Sequence, residues 1–165
     1  MLTFLNLEAE GFCSIESLHL QLNPTCTILI KAPNGKGKST ILSALVWAIY
    51  GKNLKGVSEV NTWKQVRPKD YKGTKVQVYF QKDSHTYKIV RCQKYDEVLE
   101  DGAKGKDRLI FMKDGDIVDI KGKGKIQDFI NREIGLSYTL FMNSIMFGQG
   151  IKRLIQESNS DKKKI

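Results

Sequence analysis

Histidine and cysteine are scarce in this chain: among 165 residues there are two histidines, His19 and His85, and three cysteines, Cys13, Cys26 and Cys92. No Cys-x-x-Cys pair and no His-rich neighbourhood accompanies them, so neither a zinc site nor a disulfide framework is indicated, and reduced packing cysteines are the expectation. The two histidines stand in no spacing that suits a metal or a triad, which leaves no visible nuclease or hydrolase site. Long apolar runs are missing as well, since nothing approaches the roughly 18 to 20 residues that cross a bilayer. A basic-then-apolar secretory signal is also absent from the N-terminus. These absences predict a soluble, cytoplasmic protein with no membrane partner.

What is present suits one ordinary domain, because 41% of the residues are apolar and can bury a real core. The formal net charge is +9, which favours an anionic partner such as nucleic acid or nucleotide. The lysines are scattered, however, rather than gathered on one helix face.

Along the chain, LTFLNLEAEGF and IESLHLQL alternate on either side of a turn near Gly11 to Ser14 and read as a hairpin. Asn23-Pro24 breaks that pattern, and CTILI (26 to 30) has the apolar, β-branched character of a buried strand. STILSALVWAIY (39 to 50) places apolar residues around most of a helix, which predicts a helix buried on nearly all sides and ended by Gly51. After a polar stretch from Lys52 to Lys75, strands are expected in KVQVYF, TYKIVR, RLIFM and DIVDI, with turns at KDSH and Asp114-Gly115, as an antiparallel meander. Ile126, Phe129, Ile130 and Ile134 follow helical spacing, and Ser137 caps a further helix carrying Tyr138, Phe141 and Ile145. Ser160 and Asp161 suit the start of another helix just as the chain stops, which suggests an incomplete polypeptide.

KAPNGKGKST (31 to 40) lies between the expected strand and the buried helix, the context a phosphate loop requires. Backbone N–H groups at a helix start can converge on one tetrahedral anion. Gly35 and Gly37 let the chain fold around it, Lys38 reaches the β- and γ-phosphates, Ser39 ligates magnesium, and Thr40 serves the α-phosphate. Ala32 stands where GxxxxGK[ST] has its first glycine. A single methyl at the strand exit leaves the cradle intact unless the backbone there has positive φ, which would cost on the order of 1 kcal/mol. The plain alternative is a lysine-rich glycine turn without a ligand.

NGKGKSTILSALVWAIYGK resembles the first nucleotide motif of ABC-type ATPases, and specifically of SMC-like DNA-repair ATPases of the SbcC type, the group that includes the phage recombination-endonuclease large subunits. GFCSIESLHLQL, VQVYF, YKIVR and IGLSYTLFMNSIMFGQG match in order, so the resemblance covers almost the whole chain, most loosely over Lys52 to Lys75. It implies a mixed α/β fold: residues 1–165 as the N-terminal lobe of an ATPase head, with the phosphate loop at 32–40 and a Q-loop around 148–150. The implied ligands are ATP and Mg2+, held by Asn34, Gly35, Lys36, Gly37, Lys38, Ser39 and Thr40, with Ser39 and Gln149 on the metal. Gln149 would also sense the γ-phosphate; its bland role is a polar residue in a Gly-flanked turn. Asn34 would lie near the γ-phosphate at a dimer face, against a merely turn-forming role. Cys13 and Ser14 occupy the segment near the adenine, although Cys13 departs from the family's basic residue there. Arg91 ends the family's Tyr-x-Ile-x-Arg strand, a position read as structural before functional. Trp63 and Tyr71 are read as packing residues before DNA contacts.

No apolar strand ending in Asp-Glu, no signature motif and no switch histidine follows, so no catalytic residue is expected within this lobe. In the resembled family those elements belong to a C-terminal lobe beyond a coiled coil. The resemblance therefore implies four partners: that lobe of the same ATPase, a second head, an SbcD-type nuclease subunit and double-stranded DNA, in the host cytoplasm if phage-encoded. ATP would glue two heads and hydrolysis would release them, gating DNA and nuclease during double-strand-break repair or recombination. Half a site should bind ATP without turning it over. The alternatives are an SMC- or RecF-like DNA-binding ATPase without a nuclease partner, a self-contained P-loop enzyme, and a DNA-binding module using KGKGK (121 to 125) and DKKKI.

Overall fold

The structure is a computed structural model and describes residues 1–22, 25, 27–62, 67 and 69–144. The two opening strands, β1 (Leu2–Phe12) and β2 (Ile15–Gln21), pair antiparallel as a hairpin. After the glycine loop comes helix α1 (Lys38–Tyr50), followed by β3 (Thr74–Lys82) and β4 (His85–Gln93). A small ribbon of β5 (Tyr95–Val98) and β6 (Lys104–Lys106) interrupts the meander, which resumes with β7 (Leu109–Lys113) and β8 (Asp116–Ile117). Helices α2 (Lys123–Ile134) and α3 (Tyr138–Ser144) follow.

Six strands form one antiparallel sheet in the order β2-β1-β3-β4-β7-β8. Period-2 alternation explains its two faces. Val76, Val78 and Phe80 on β3 stand beside Arg91, Ile89 and Tyr87 on β4, and this face packs against α1 and the two later helices. Phe80 is fully buried, stacked on Tyr87 with centroids 4.9 Å apart and tilted against Phe4 at 6.2 Å. On the opposite face Val90, Cys92 and Ile110 form a smaller cluster capped by Tyr95 of the ribbon. Burial pushes the Cys92 thiol up to about 12.

Asp114 and Gly115 both have positive φ, as a two-residue hairpin of this type demands. The Asp114 carboxylate accepts the Thr86 N–H at 2.9 Å and lies 2.6 Å from His85 Nδ1, tying the β7–β8 turn to the start of β4. Ser137 caps α3 as expected, accepting the Leu140 N–H at 3.2 Å.

Three expectations need correction. Thr27 to Lys31, the described part of the CTILI run and its exit, forms no strand, and Ile28 and Leu29 are exposed. A buried strand needs neighbours to take its backbone groups, and no described strand lies beside this run. The DIVDI strand shrinks to Asp116–Ile117. The P-loop helix is buried from Ala44 to Tyr50, whereas Ser39 and Leu42 in its first half are exposed. The ribbon β5–β6 had no alternation to reveal it, since YDEV and KGK carry few apolar residues.

Candidate phosphate-binding site

The glycine loop enters α1 through Gly35 and Gly37, at φ 80° and 82°. Both are left-handed conformations that a residue with a Cβ adopts at a cost, and they turn successive amides the same way. Gly37 is the N-cap and offers no side-chain acceptor, and the first turn holds no acidic residue. The amides of Lys38 and Ser39 find no acceptor among the described residues, so helix-start donors and the positive end of the α1 dipole face outward together. Residues 31 to 36 are exposed, which adds Lys31 and Lys36 to the same neighbourhood. The arrangement can receive a compact polyanion.

Lys38 is folded back on its own loop, with Nζ donating to the Ala32 carbonyl at 2.6 Å and to that of Pro33 at 3.0 Å. Those bonds hold the loop shut on itself, and an incoming phosphate would exchange for them. Ala32 is not among the residues with positive φ, so the missing first glycine imposes no backbone strain. Ser39 stands at the second position of the helix with its side chain exposed, and Thr40 follows with its N–H bonded to the Gly37 carbonyl at 3.0 Å. Asn34 lies in the exposed turn before Gly35.

The hairpin turn between β1 and β2 reaches the same place. Ser14 Oγ lies 3.3 Å from where a Cβ on Gly37 would stand, which brings Ser14 to the loop. Cys13, at φ 51°, is half-buried; its N–H bonds the Val60 carbonyl at 2.9 Å, and burial raises its thiol pKa. Gln149 with the Q-loop segment, Trp63, Ile145 and the expected final helix lie outside the described residues. Tyr71 packs as expected, with its ring under the Arg67 guanidinium at 4.4 Å and its hydroxyl 3.3 Å from Thr74 Oγ1.

The far end of α1 is held firmly. Trp47 Nε1 donates to the Ser58 carbonyl at 3.0 Å and its ring meets Phe12 edge-on at 5.6 Å. Tyr50 donates to the Leu136 carbonyl at 2.9 Å, and Arg91 and Gln127 take the carbonyls of Ala48 and Ile49. The Tyr-x-Ile-x-Arg pattern flagged Arg91, whereas Gln127, one of several polar residues in an amphipathic helix, gave no hint of its part.

A glycine-loop helix packed against an antiparallel sheet defines the class by fold, a mixed α/β P-loop arrangement. The chain belongs to the AAA domain family, whose model matches residues 6–165. It is 23% identical over 165 residues to the DNA double-strand break repair Rad50 ATPase of Methanopyrus kandleri, covering 96% of this chain and 17% of that protein. It is 29% identical over 161 residues to the probable DNA double-strand break repair Rad50 ATPase of Aquifex aeolicus, covering 96% and 16%. The chain thus spans about a sixth of the length of these relatives. Among solved structures, one from a study of ATP-driven dimerization and DNA-stimulated activation of SMC ATPases superposes with a TM-score of 0.57 at 20% identity, covering 98% of this chain and 95% of that one. The recombination mediator RecF with ATP superposes at 0.51 and 19% identity, covering 76% and 30%. In sequence and fold the chain is thus similar to Rad50- and SMC-type ATPase heads.

No helix among the described residues is long and apolar enough to cross a membrane.

Proposed function

We propose that this chain is the ATP-binding N-terminal lobe of an SbcC- or Rad50-type head, holding Mg-ATP on Asn34 to Thr40. Ser39, and Gln149 from the Q-loop at 148–150, would take the metal, with Cys13 and Ser14 beside the base. The observation that carries the reading is the pairing of outward-facing helix-start donors with an uncovered apolar flank. Among the described residues, Ile28 and Leu29, on the run expected to be a buried strand before the loop, and Leu42, in the first half of α1 after it, are exposed. Large apolar side chains left in solvent on both sides of the loop give another surface a place to dock. We assign that flank to the C-terminal lobe of the same ATPase, which would supply the missing catalytic groups. Two completed heads would then close over ATP and open on hydrolysis, gating double-stranded DNA and a nuclease subunit in break repair. The net charge of +9 suits a DNA partner. The relatives named for break repair, and the SMC structure titled for ATP-driven dimerization, support this over a P-loop enzyme of another class.

The test is Mg-ATP binding and turnover by the 165-residue chain. Binding without turnover is expected, since phosphoryl transfer rests on positioning and charge neutralisation from both sides of the phosphate. Robust turnover by the monomer would replace this reading with a self-contained P-loop enzyme.

A further inference from the structure

Arg91 lies near the C-terminal end of β4 with 5% of its surface exposed, and no carboxylate among the described residues pairs with it. Its Nε donates to the Ala48 carbonyl at 2.9 Å, and Nη2 donates to the Ile49 carbonyl at 3.1 Å and to the side-chain oxygen of Gln127. Gln127, on α2, turns its Nε2 back onto the same Ile49 carbonyl at 2.9 Å and onto Asn131 Oδ1 at 3.0 Å. Gly51 closes the junction, for a Cβ there would stand 3.1 Å from Arg91 Nη1. Burial draws the guanidinium down to about 10, which leaves it cationic at neutral pH. A buried cation is costly unless something answers it, and what answers this one is the negative end of the α1 dipole.

The two ends of α1 therefore carry opposite arrangements, with donors at Lys38 and Ser39 that find no acceptor among the described residues and occupied acceptors at Ala48 and Ile49. Thirteen residues make a rod about 20 Å long, short enough to behave as one body. We propose that Arg91 and Gln127 form a relay that reports occupancy of the glycine loop to α2. Arg91 is the positioning residue that fixes the C-terminal end of α1 on the sheet, and Gln127 makes α2 share that end's acceptors. Apolar packing between α1 and α2 is non-directional, whereas this polar junction registers one helix against the other. An anion that orders the first turn of α1 thus also tightens the Ile49 carbonyl on which α2 hangs. The inference rests on the nucleotide-binding reading above.

The experiment is hydrogen exchange of the α2 amides in the 165-residue chain, with and without saturating Mg-ATPγS, in wild type, Gln127→Met and Arg91→Lys. Methionine keeps the length and helix propensity of glutamine but none of its three side-chain hydrogen bonds. Lysine keeps the charge without the fork that reaches two carbonyls and Gln127. In wild type, ligand is expected to slow exchange over 126–134 by about fivefold, the share of one hydrogen bond. Both variants are expected to bind Mg-ATPγS with that slowing lost, and a merely structural role would lower protection with and without ligand alike. Equal slowing in the variants, or bound wild type without slowing in α2, overturns the relay while leaving nucleotide binding in place. Failure of wild type to bind Mg-ATPγS overturns both.

Discussion

Lys38→Ala separates the ligand-binding role of the glycine loop from any part it plays in the fold. Among the described residues the ammonium bonds only the Ala32 and Pro33 carbonyls, within its own loop. Removing it deletes no link between elements, so the unfolding midpoint should stay within the small range typical of surface substitutions. With nucleotide the ammonium would instead donate to phosphate oxygens, a charge-assisted bond worth about 1.5–3 kcal/mol. The part of that energy spent on releasing the two carbonyls lowers the net gain. Affinity for Mg-ATP should therefore fall roughly 10- to 100-fold. Titration of a fluorescent ATP analogue gives the affinity and urea unfolding of the same samples gives the stability. Unchanged affinity would refute the cradle, and a large loss of stability would refute the assignment of Lys38 to the ligand rather than to the fold.

Phe80→Ala should act in the opposite sense, costing about 3–5 kcal/mol in urea unfolding because a fully buried ring with two ring neighbours leaves a cavity. Asp114 should make stability pH-dependent. The Thr86 N–H first, and then His85, hold its carboxyl below the usual carboxylate range, so the unfolded chain takes up the proton at higher pH than the folded one. That contribution is present above the unfolded value and lost as pH falls through the folded one. The midpoint advantage of wild type over Asp114→Asn should accordingly shrink between about pH 5 and 2 in thermal melts, and a constant difference would argue against the shift.

Much of this arrangement was legible in the chain because local chemistry and global fold agree there. Asp114-Gly115 between alternating segments specifies a hairpin, and Gly51 after a continuous apolar run specifies where α1 ends. The sheet face followed from period-2 alternation in β3 and β4. CTILI misled for a physical reason: its composition records an environment with neighbours on both sides, and the described residues supply none. Close approach between distant segments was also invisible, as where a Cβ on Gly11 would meet the Gly73 carbonyl oxygen at 2.1 Å. At the site, spacing alone picked out the loop and its lysine. The placement of Ser14 beside Gly37 depends on how a hairpin turn meets a helix start, which periodicity could not show. The role of Gln127 requires knowing that α2 crosses the end of α1.

The divided burial of α1 also bears on how such a sequence can drift. Its last seven residues are locked in the core, so changes there are screened by whether the protein folds at all. The preceding loop contributes almost nothing to that screen, and substitutions in it are filtered only by what the loop must hold. Ala32, sitting without strain where a glycine is usual, is the kind of variation that this separation lets accumulate.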